Sequence, residues 1–494
     1  MSELATEPRR AHHAVAAAVA AAREAQPAWA SRSPRERARA LGRLRREIAA
    51  RRDDLAAAIE ADAPHPRAET FGHELLPVLL SLRWHETAGP RALRSERPSP
   101  LLAAAFGMRS EIRWRPYGVV GAIAPRNYPF HLAMLPAIPA LLAGNAVVVK
   151  PSERAPAVTE RMAELFAAAL PRGVAAAVGG GPEAGQALLE AGVDRLCFIG
   201  SAAVGRDVAL AAAERGVPTV MELGGQDAAI VLEDAPLDVA ASGIAWAAFV
   251  NAGQACCAVE RVYVEEGVAD RFEELLAGKV ARLRAGRDLP PVPEAHLDAV
   301  RRLAADALAR GARRLLGPDG DGWLPPYLLE GRTAGMAVFD TEIFGPLLPI
   351  VRVRDADEAV RRANEEGANL TVSIWTADRR RAESLADRIA AGSVSIGDHG
   401  VGQGAVWAAW GGVGRSGHGR LHGRLGVRGF TVPVHVTSSR TPRRKRFWWF
   451  PYDADTEGVF RHAVDLLGRP LGPGSARAAA SALVHAVRAS RRKL

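Results

Sequence analysis

Between residues 117 and 232 the sequence alternates short, wholly apolar runs with stretches of helical periodicity, and nothing else in it restricts the fold as much. The runs fall at 119–124, 146–149, 175–178, 196–199 and 228–232. Each is too short for a buried helix and lacks a polar face, as expected of a strand buried on both sides in a parallel sheet. Segments 183–191 and 202–215 read as helices between them. Parallel neighbours need crossover connections, so the alternation predicts a doubly wound, Rossmann-like α/β domain.

A chain of 494 residues is too long for one compact core, so two or three domains are expected. The first hundred residues read as helical. Ser33-Pro34-Arg35-Glu36 forms a capping box with proline at the first helical position, followed by a stripe of Leu41, Leu44, Ile48, Leu55 and Ile59. A second series of helices and strands runs from 264 to about 423 and predicts a second α/β domain. Residues 430–436 then alternate as an edge strand that can accept Pro433. Beyond them lie a basic and aromatic cluster, 443–452, and an Ala/Arg-rich, helix-like tail.

The net charge of +9 raises the question of a nucleic-acid or membrane partner, but residues 437–494 carry twelve Lys/Arg against four Asp/Glu and hold nearly all of the surplus. The remainder is close to neutral, so no nucleic-acid partner is expected. The cysteines are Cys197, Cys256 and Cys257; the last two are neighbours that could pair only in a strained ring. With no disulfide framework, a reducing cytoplasm is the expected setting. The alanine-rich stretch 14–22 imitates a leader, yet alanine is weakly apolar and Arg23, Glu24 and Gln26 interrupt it, so no signal peptide is expected. No run reaches the roughly 18 apolar residues of a membrane span. His12-His13, His399, His418 and His422 show no ligand spacing, so no metal site is expected.

Chemistry enters with Asn251-Ala252-Gly253-Gln254-Ala255-Cys256-Cys257, a cysteine pair in a turn of small residues. Buried cysteine usually behaves as a small hydrophobe. Glu222, which ends an apolar run and precedes Gly224-Gly225, reads as a helix cap, a loop charge or, if it faces Cys256, a base acting through water on a thioester.

Further blocks follow in a fixed order: Pro125-Arg126-Asn127-Tyr128-Pro129, Gly144 to Glu153, Phe198-Ile199-Gly200-Ser201 with Gly205, Glu222-Leu223-Gly224-Gly225, Gly253-Gln254-Ala255-Cys256, Glu342-Ile343-Phe344-Gly345-Pro346, and Gly411-Gly412 with Ser416-Gly417. From about Ala28 to Tyr452 the chain resembles the aldehyde dehydrogenase superfamily. That resemblance implies oxidation of an aldehyde to a carboxylic acid with hydride transfer to NAD, NADP being the alternative. It makes Cys256 the nucleophile and Cys257 packing, with the Asn127 amide and the Cys256 N–H holding the oxyanion and Glu222 activating water. The implied cofactor residues are Lys150, Ser152, Glu153, Gly200, Ser201, Gly205, Leu223, Gly224, Glu342 and Phe344. Glu153 can accept from a ribose 2′-hydroxyl and repels a 2′-phosphate, which favours NAD. The implied domains are cofactor-binding at 1–107 and 119–224, catalytic at 225–423, bridging strands at 108–118 and 424–440, and a basic extension at 441–494. Subunits would pair through 109–115 and 430–436 as a homodimer or homotetramer.

Departures from the family pattern bear on activity. Arg126 replaces the usual tryptophan and is open to three readings: an acidic substrate, the cofactor phosphates or solvent. Gln226 replaces a lysine, Ser395-Ile396-Gly397 lacks the usual asparagine, and 284–293 is short. They leave an alternative, a catalytically altered binding or scaffold protein. The cluster Trp448-Trp449-Phe450-Pro451-Tyr452 resembles the end of the class-3-like branch, where aromatics pack back on the body. The tail at 477–493 reads as a solvated or disordered segment, with contact to an anionic surface as the second reading.

Overall fold

The computed structural model describes residues 7–98, 107–317, 327–331, 335–366, 369–440, 445–468, 470, 473–491 and 493. Its contacts divide the chain into a large unit, Met1–Arg94 with Trp114–Pro433, and a small one, Ser95–Arg113 with Val434–Leu494. The described chain runs through β1 (Met108–Pro116), β2 (Val119–Ile123), β3 (Ala146–Lys150), β4 (Ala175–Ala177), β5 (Arg195–Gly200) and β6 (Thr219–Leu223). It continues through β7 (Asp227–Val231), β8 (Val259–Glu265), β9 (Arg313–Leu316), β10 (Tyr327–Glu330), β11 (Leu347–Val353), β12 (Asn369–Trp375) and β13 (Ala391–Ile396), then β14 (Gly417–His418) and β15 (Thr431–Ser439).

The large unit holds two sheets. The first has the order β14-β6-β5-β2-β3-β4, parallel throughout except for β14 against β6. The apolar runs that predicted it are its strands, and Val119, Val120, Val147, Val148 and Val149 are wholly buried. Each such side chain contributes about 1.5–3 kcal/mol of hydrophobic stabilisation. Strand order reverses between β2 and β5, so their carboxyl ends open the crevice in which doubly wound sheets bind ligands. The second sheet, β13-β12-β7-β8-β11-β10-β9, is parallel except for β9 against β10.

Helices cover the first sheet. The alanine-rich stretch lies in the helix Glu7–Ala30, where Val15, Val19 and Ala22 pack on Val119, Ala146 and Val148. The capping box is formed as read. Ser33 Oγ accepts the Glu36 N–H at 3.3 Å, Glu36 Oε2 accepts the Ser33 N–H at 2.7 Å, and Leu41, Leu44 and Ile48 behind it are buried. The helix Pro129–Ala143 is buried along its whole length and ends on Gly144 at φ 101°, a conformation glycine adopts without strain. It carried no amphipathic stripe to announce it.

In the small unit β1 pairs with β15 in a two-stranded sheet. The helix-like tail is a helix. Residues Pro473–Arg491 form a helix that packs on the helix Ala454–Gly468, with the His485 ring 2.8 Å from the Asp455 carboxylate. Two amphipathic helices can bury against each other what neither could alone. Trp449, Phe450 and Tyr452 are 47%, 65% and 67% exposed.

Candidate active site

Cys256 stands in the turn between the helix Leu237–Phe249 and β8. The approach to it is left-handed at Asn251 (φ 52°), Ala252 (φ 53°) and Gly253 (φ 79°). For the two residues with a Cβ this costs on the order of 1–2 kcal/mol each, and a Cβ at Gly253 would collide with the Gly345 carbonyl. Four hydrogen bonds hold the turn. The Asn251 amide donates to the Asn127 and Gln254 carbonyls, Gln254 Nε2 donates to the Asn251 carbonyl, and Asn127 Nδ2 donates to the Gln254 carbonyl, all at 3.1 Å. An amide nitrogen has two hydrogens, so Asn127 keeps one for a ligand.

Glu222 is the penultimate residue of β6, in register with Ile199 of β5 and Gly417 of β14. Neither carboxyl oxygen has a partner at full hydrogen-bond geometry. Burial pushes this carboxyl up to about 7, against a partial pull downward from the Cys256 thiol and the Trp410 indole. The Cys256 thiol is itself raised, by its contact with Cys257, by burial and by Glu222. Glu342, raised to about 7 by burial and then by Glu222, completes a group of buried acids poised near neutrality. That is the range in which a general base is effective at physiological pH.

Asn127, Glu222, Cys256, Gly224, Glu342 and Phe344 line one cavity of about 360 Å3. Lys150, Ser152 and Glu153 line another of about 640 Å3. The two share Pro125, Arg126, Ile199, Gly200, Ser201 and His296, a neck at the carboxyl ends of β2 and β5. Ser201 caps the helix Ala202–Glu214, whose positive end therefore faces the neck and suits a diphosphate. A dinucleotide fits this layout, with adenosine on the Lys150 side, diphosphate at the neck and nicotinamide toward Glu342 and Phe344. Burial alone would raise Glu153, but its own N–H and Lys150 Nζ, 3.5 Å away, hold its carboxyl below the ordinary range. Gly224 leaves room for Glu342, with which a Cβ there would collide. Gly205 and Leu223 line neither cavity. They pack on each other so closely that a Cβ at Gly205 would strike the leucine side chain.

Other residues of the site gave no sequence signal. Glu260 accepts the Ile343 and Phe344 N–H groups at 2.9 Å and so fixes the loop that presents Glu342 and Phe344, the latter at φ 47°. His296, carried by the helix Glu294–Ala309, reaches the neck from far along the chain. Arg126 is not turned to solvent: its Nη2 donates to Gln254 Oε1 at 2.9 Å and lies 2.9 Å from His296 Nδ1. Gly397 has φ 70°, where glycine and asparagine are both at ease, so the bend survives the missing asparagine. Among the described residues no three His, Cys, Asp or Glu are grouped as metal ligands.

A doubly wound crevice ending on a thiol, an amide and a buried carboxyl is a layout suited to a dinucleotide-dependent oxidoreductase. The aldehyde dehydrogenase family model matches residues 2–436. A 4,4′-diapolycopene aldehyde oxidase of Methylomonas is 36% identical over 454 residues, 90% of this chain and 85% of the relative. A Mycolicibacterium smegmatis protein named "Putative succinate-semialdehyde dehydrogenase", NADP-dependent by its name, is 37% identical over 453 residues, 89% and 87% of the two chains. Among solved structures, a Mycobacterium tuberculosis aldehyde dehydrogenase complexed with NAD+ superposes with a TM-score of 0.80 at 31% identity, covering 87% of this chain and 90% of that one. The chain belongs to the aldehyde dehydrogenase family, whose reaction is oxidation of an aldehyde to a carboxylic acid with NAD or NADP as hydride acceptor.

Proposed function

We propose that Cys256, Asn127 and Glu222 carry this oxidation in two stages. The observation that carries the reading is that all three line one cavity together with Glu342 and Phe344. The Cys256 sulfur adds as the thiolate to the aldehyde carbon, its proton having left to solvent. The resulting oxyanion takes the free Asn127 hydrogen and the Cys256 N–H. A bound nicotinamide supplies the hydride acceptor, leaving a thioester on Cys256. Glu222, as the carboxylate, then takes a proton from water while the resulting hydroxide adds to the thioester, and the tetrahedral adduct collapses to the carboxylic acid as the expelled Cys256 sulfur takes that proton back from Glu222. A buried base beside the sulfur favours water over a thiol carrier as acyl acceptor. Asn127→Ala is expected to slow acylation about 100- to 1000-fold, the usual effect of losing one oxyanion donor, with little change in cofactor affinity. A stopped-flow NADH trace checks this, and an unchanged burst rate would remove Asn127 from the role.

Arg126 is assigned to the cofactor diphosphate in this reading. It lines both cavities at the neck, has Arg154 as its charged neighbour and has no carboxylate partner among the described residues. Arg126→Met should weaken binding of ADP-ribose by about tenfold, the effect of one charge-assisted contact. Calorimetry on the enzyme without nicotinamide cofactor reads it, and unaltered affinity would return Arg126 to a purely structural role. Glu153 in the groove favours NAD over NADP. We further assign the enzyme to a reducing cytoplasm and to a homo-oligomer built on β1 and β15, a two-stranded sheet in which β1 is bridged on its other side by Glu96 at Ile112 and β15 has no second strand partner among the described residues. The basic surplus of the small unit places any contact with an anionic surface there.

A further inference from the structure

A third cavity, of about 260 Å3, lies against the cysteine turn and shares no lining residue with the two cavities of the cofactor groove. Ala255, Cys257 and Tyr128 line it, each adjacent in sequence to a residue of the reaction cavity, Cys256 or Asn127. With Glu342 and Phe344 assigned to the nicotinamide, this cavity is taken as the route of an aldehyde carbon to the sulfur of Cys256, the residue between Ala255 and Cys257 of its wall. That assignment rests on the proposed role of Cys256.

Its walls are aromatic. The His73 and Trp246 rings lie 5.7 Å apart and the His73 and Tyr128 rings 6.3 Å apart, and Trp246 also packs over Gly400. Leu80, one turn beyond Pro77 of the wall on the helix Leu76–Thr87, is 41% exposed, and Trp246 is 46% exposed, so apolar surface extends beyond the cavity itself. No lysine or arginine is among the described residues that line the cavity. Its histidines do not substitute for one: burial depresses His73 and holds His131 and His399 at about 4, so all three are neutral near pH 7. His399 is further committed, its Nε2 lying 2.8 Å from the Cys257 carbonyl. The charged side chain in the wall is acidic, Asp398. Behind the wall the Tyr128 hydroxyl donates to Glu69 at 2.9 Å and the His131 N–H to Glu74 at 2.6 Å, carboxyls that burial raises to about 7 and to well above the ordinary range respectively, so they add no cation either. A carboxylate entering here would give up its hydration for no cation in return, a loss of several kcal/mol.

We infer that this cavity admits uncharged aldehydes on an aromatic or apolar body and rejects semialdehydes, whose far end is a carboxylate. The chain thereby parts from the substrate in the name of its M. smegmatis relative while sharing that relative's family.

The test compares kcat/KM for benzaldehyde, hexanal and succinate semialdehyde, alongside calorimetric binding of two unreactive amide isosteres, benzamide and succinamate. Benzaldehyde and hexanal should exceed succinate semialdehyde by at least about 100-fold, since a site that leaves a polar group unpaired discriminates strongly, and benzamide should bind while succinamate does not. Succinate semialdehyde turned over as well as the uncharged aldehydes would overturn the inference. So would succinamate binding as tightly as benzamide, or neither binding. If benzamide binds but no aldehyde is oxidised, the proposed catalytic roles fail while the ligand class stands. Gln403→Arg, which puts a cation into the wall beside Cys257, should raise kcat/KM for succinate semialdehyde at least about tenfold and lower that for benzaldehyde.

Discussion

Cys256→Ala is expected to abolish aldehyde-dependent NADH formation, by at least about 10^4-fold, whereas Cys257→Ala should keep activity within about tenfold of the parent. The two side chains are sequence neighbours with opposite surroundings. Cys256 shares its cavity with Asn127, Glu222 and Glu342. Cys257 faces the third cavity, with its sulfur 3.6 Å from Gln403 Oε1. A nucleophile that turns over needs a donor for the oxyanion it creates and a base for the water that frees it, and Cys256 shares its cavity with the residues assigned to both. Steady-state assays with a reactive aldehyde decide the matter. Activity lost in Cys257→Ala and kept in Cys256→Ala would reverse the assignment.

Glu222→Gln should separate the two halves of the reaction. One NADH per site, roughly, is expected in a burst, after which turnover falls by about 10^2- to 10^4-fold, the range set by loss of a general base. Mass spectrometry of the stalled enzyme should find the acyl group on the peptide bearing Cys256. The pH profile adds an independent reading. Burial places the Glu222 carboxyl at about 7, and a base acts only when deprotonated, so thioester hydrolysis should fall as pH drops through 7 and level off above it. In the glutamine variant that dependence should vanish. A variant with no burst would instead show that Glu222 is needed to activate the thiol, and a wild-type profile flat across pH 7 would remove it as the base.

The strands were legible because they are local. Runs such as 146–149 and 196–199 are apolar on both faces, and that alone requires burial between layers. The helix Pro129–Ala143 escaped notice for the same reason in reverse: wholly buried, with prolines at 136 and 139, it shows no stripe of helical period. The candidate nucleophile, amide and base were legible as short blocks in a fixed order. Gly205 and Leu223, read among the cofactor residues, pack on each other and line neither cavity, a contact that a block of sequence does not announce.

What the sequence determined by itself is the doubly wound architecture, the family, and the candidate thiol with its amide and carboxyl, since each is written in contiguous residues whose pattern or order can be read along the chain. What only the tertiary structure decided is what surrounds them. Arg126 meets His296 across 170 positions and Gln254 across 128, Glu222 is raised to about 7 only because it is buried, and the walls of the third cavity come from four separated segments around 73, 128, 246 and 399. Burial and the absence of a cation are properties of a folded surface, and they arise only when distant residues are brought to the same face.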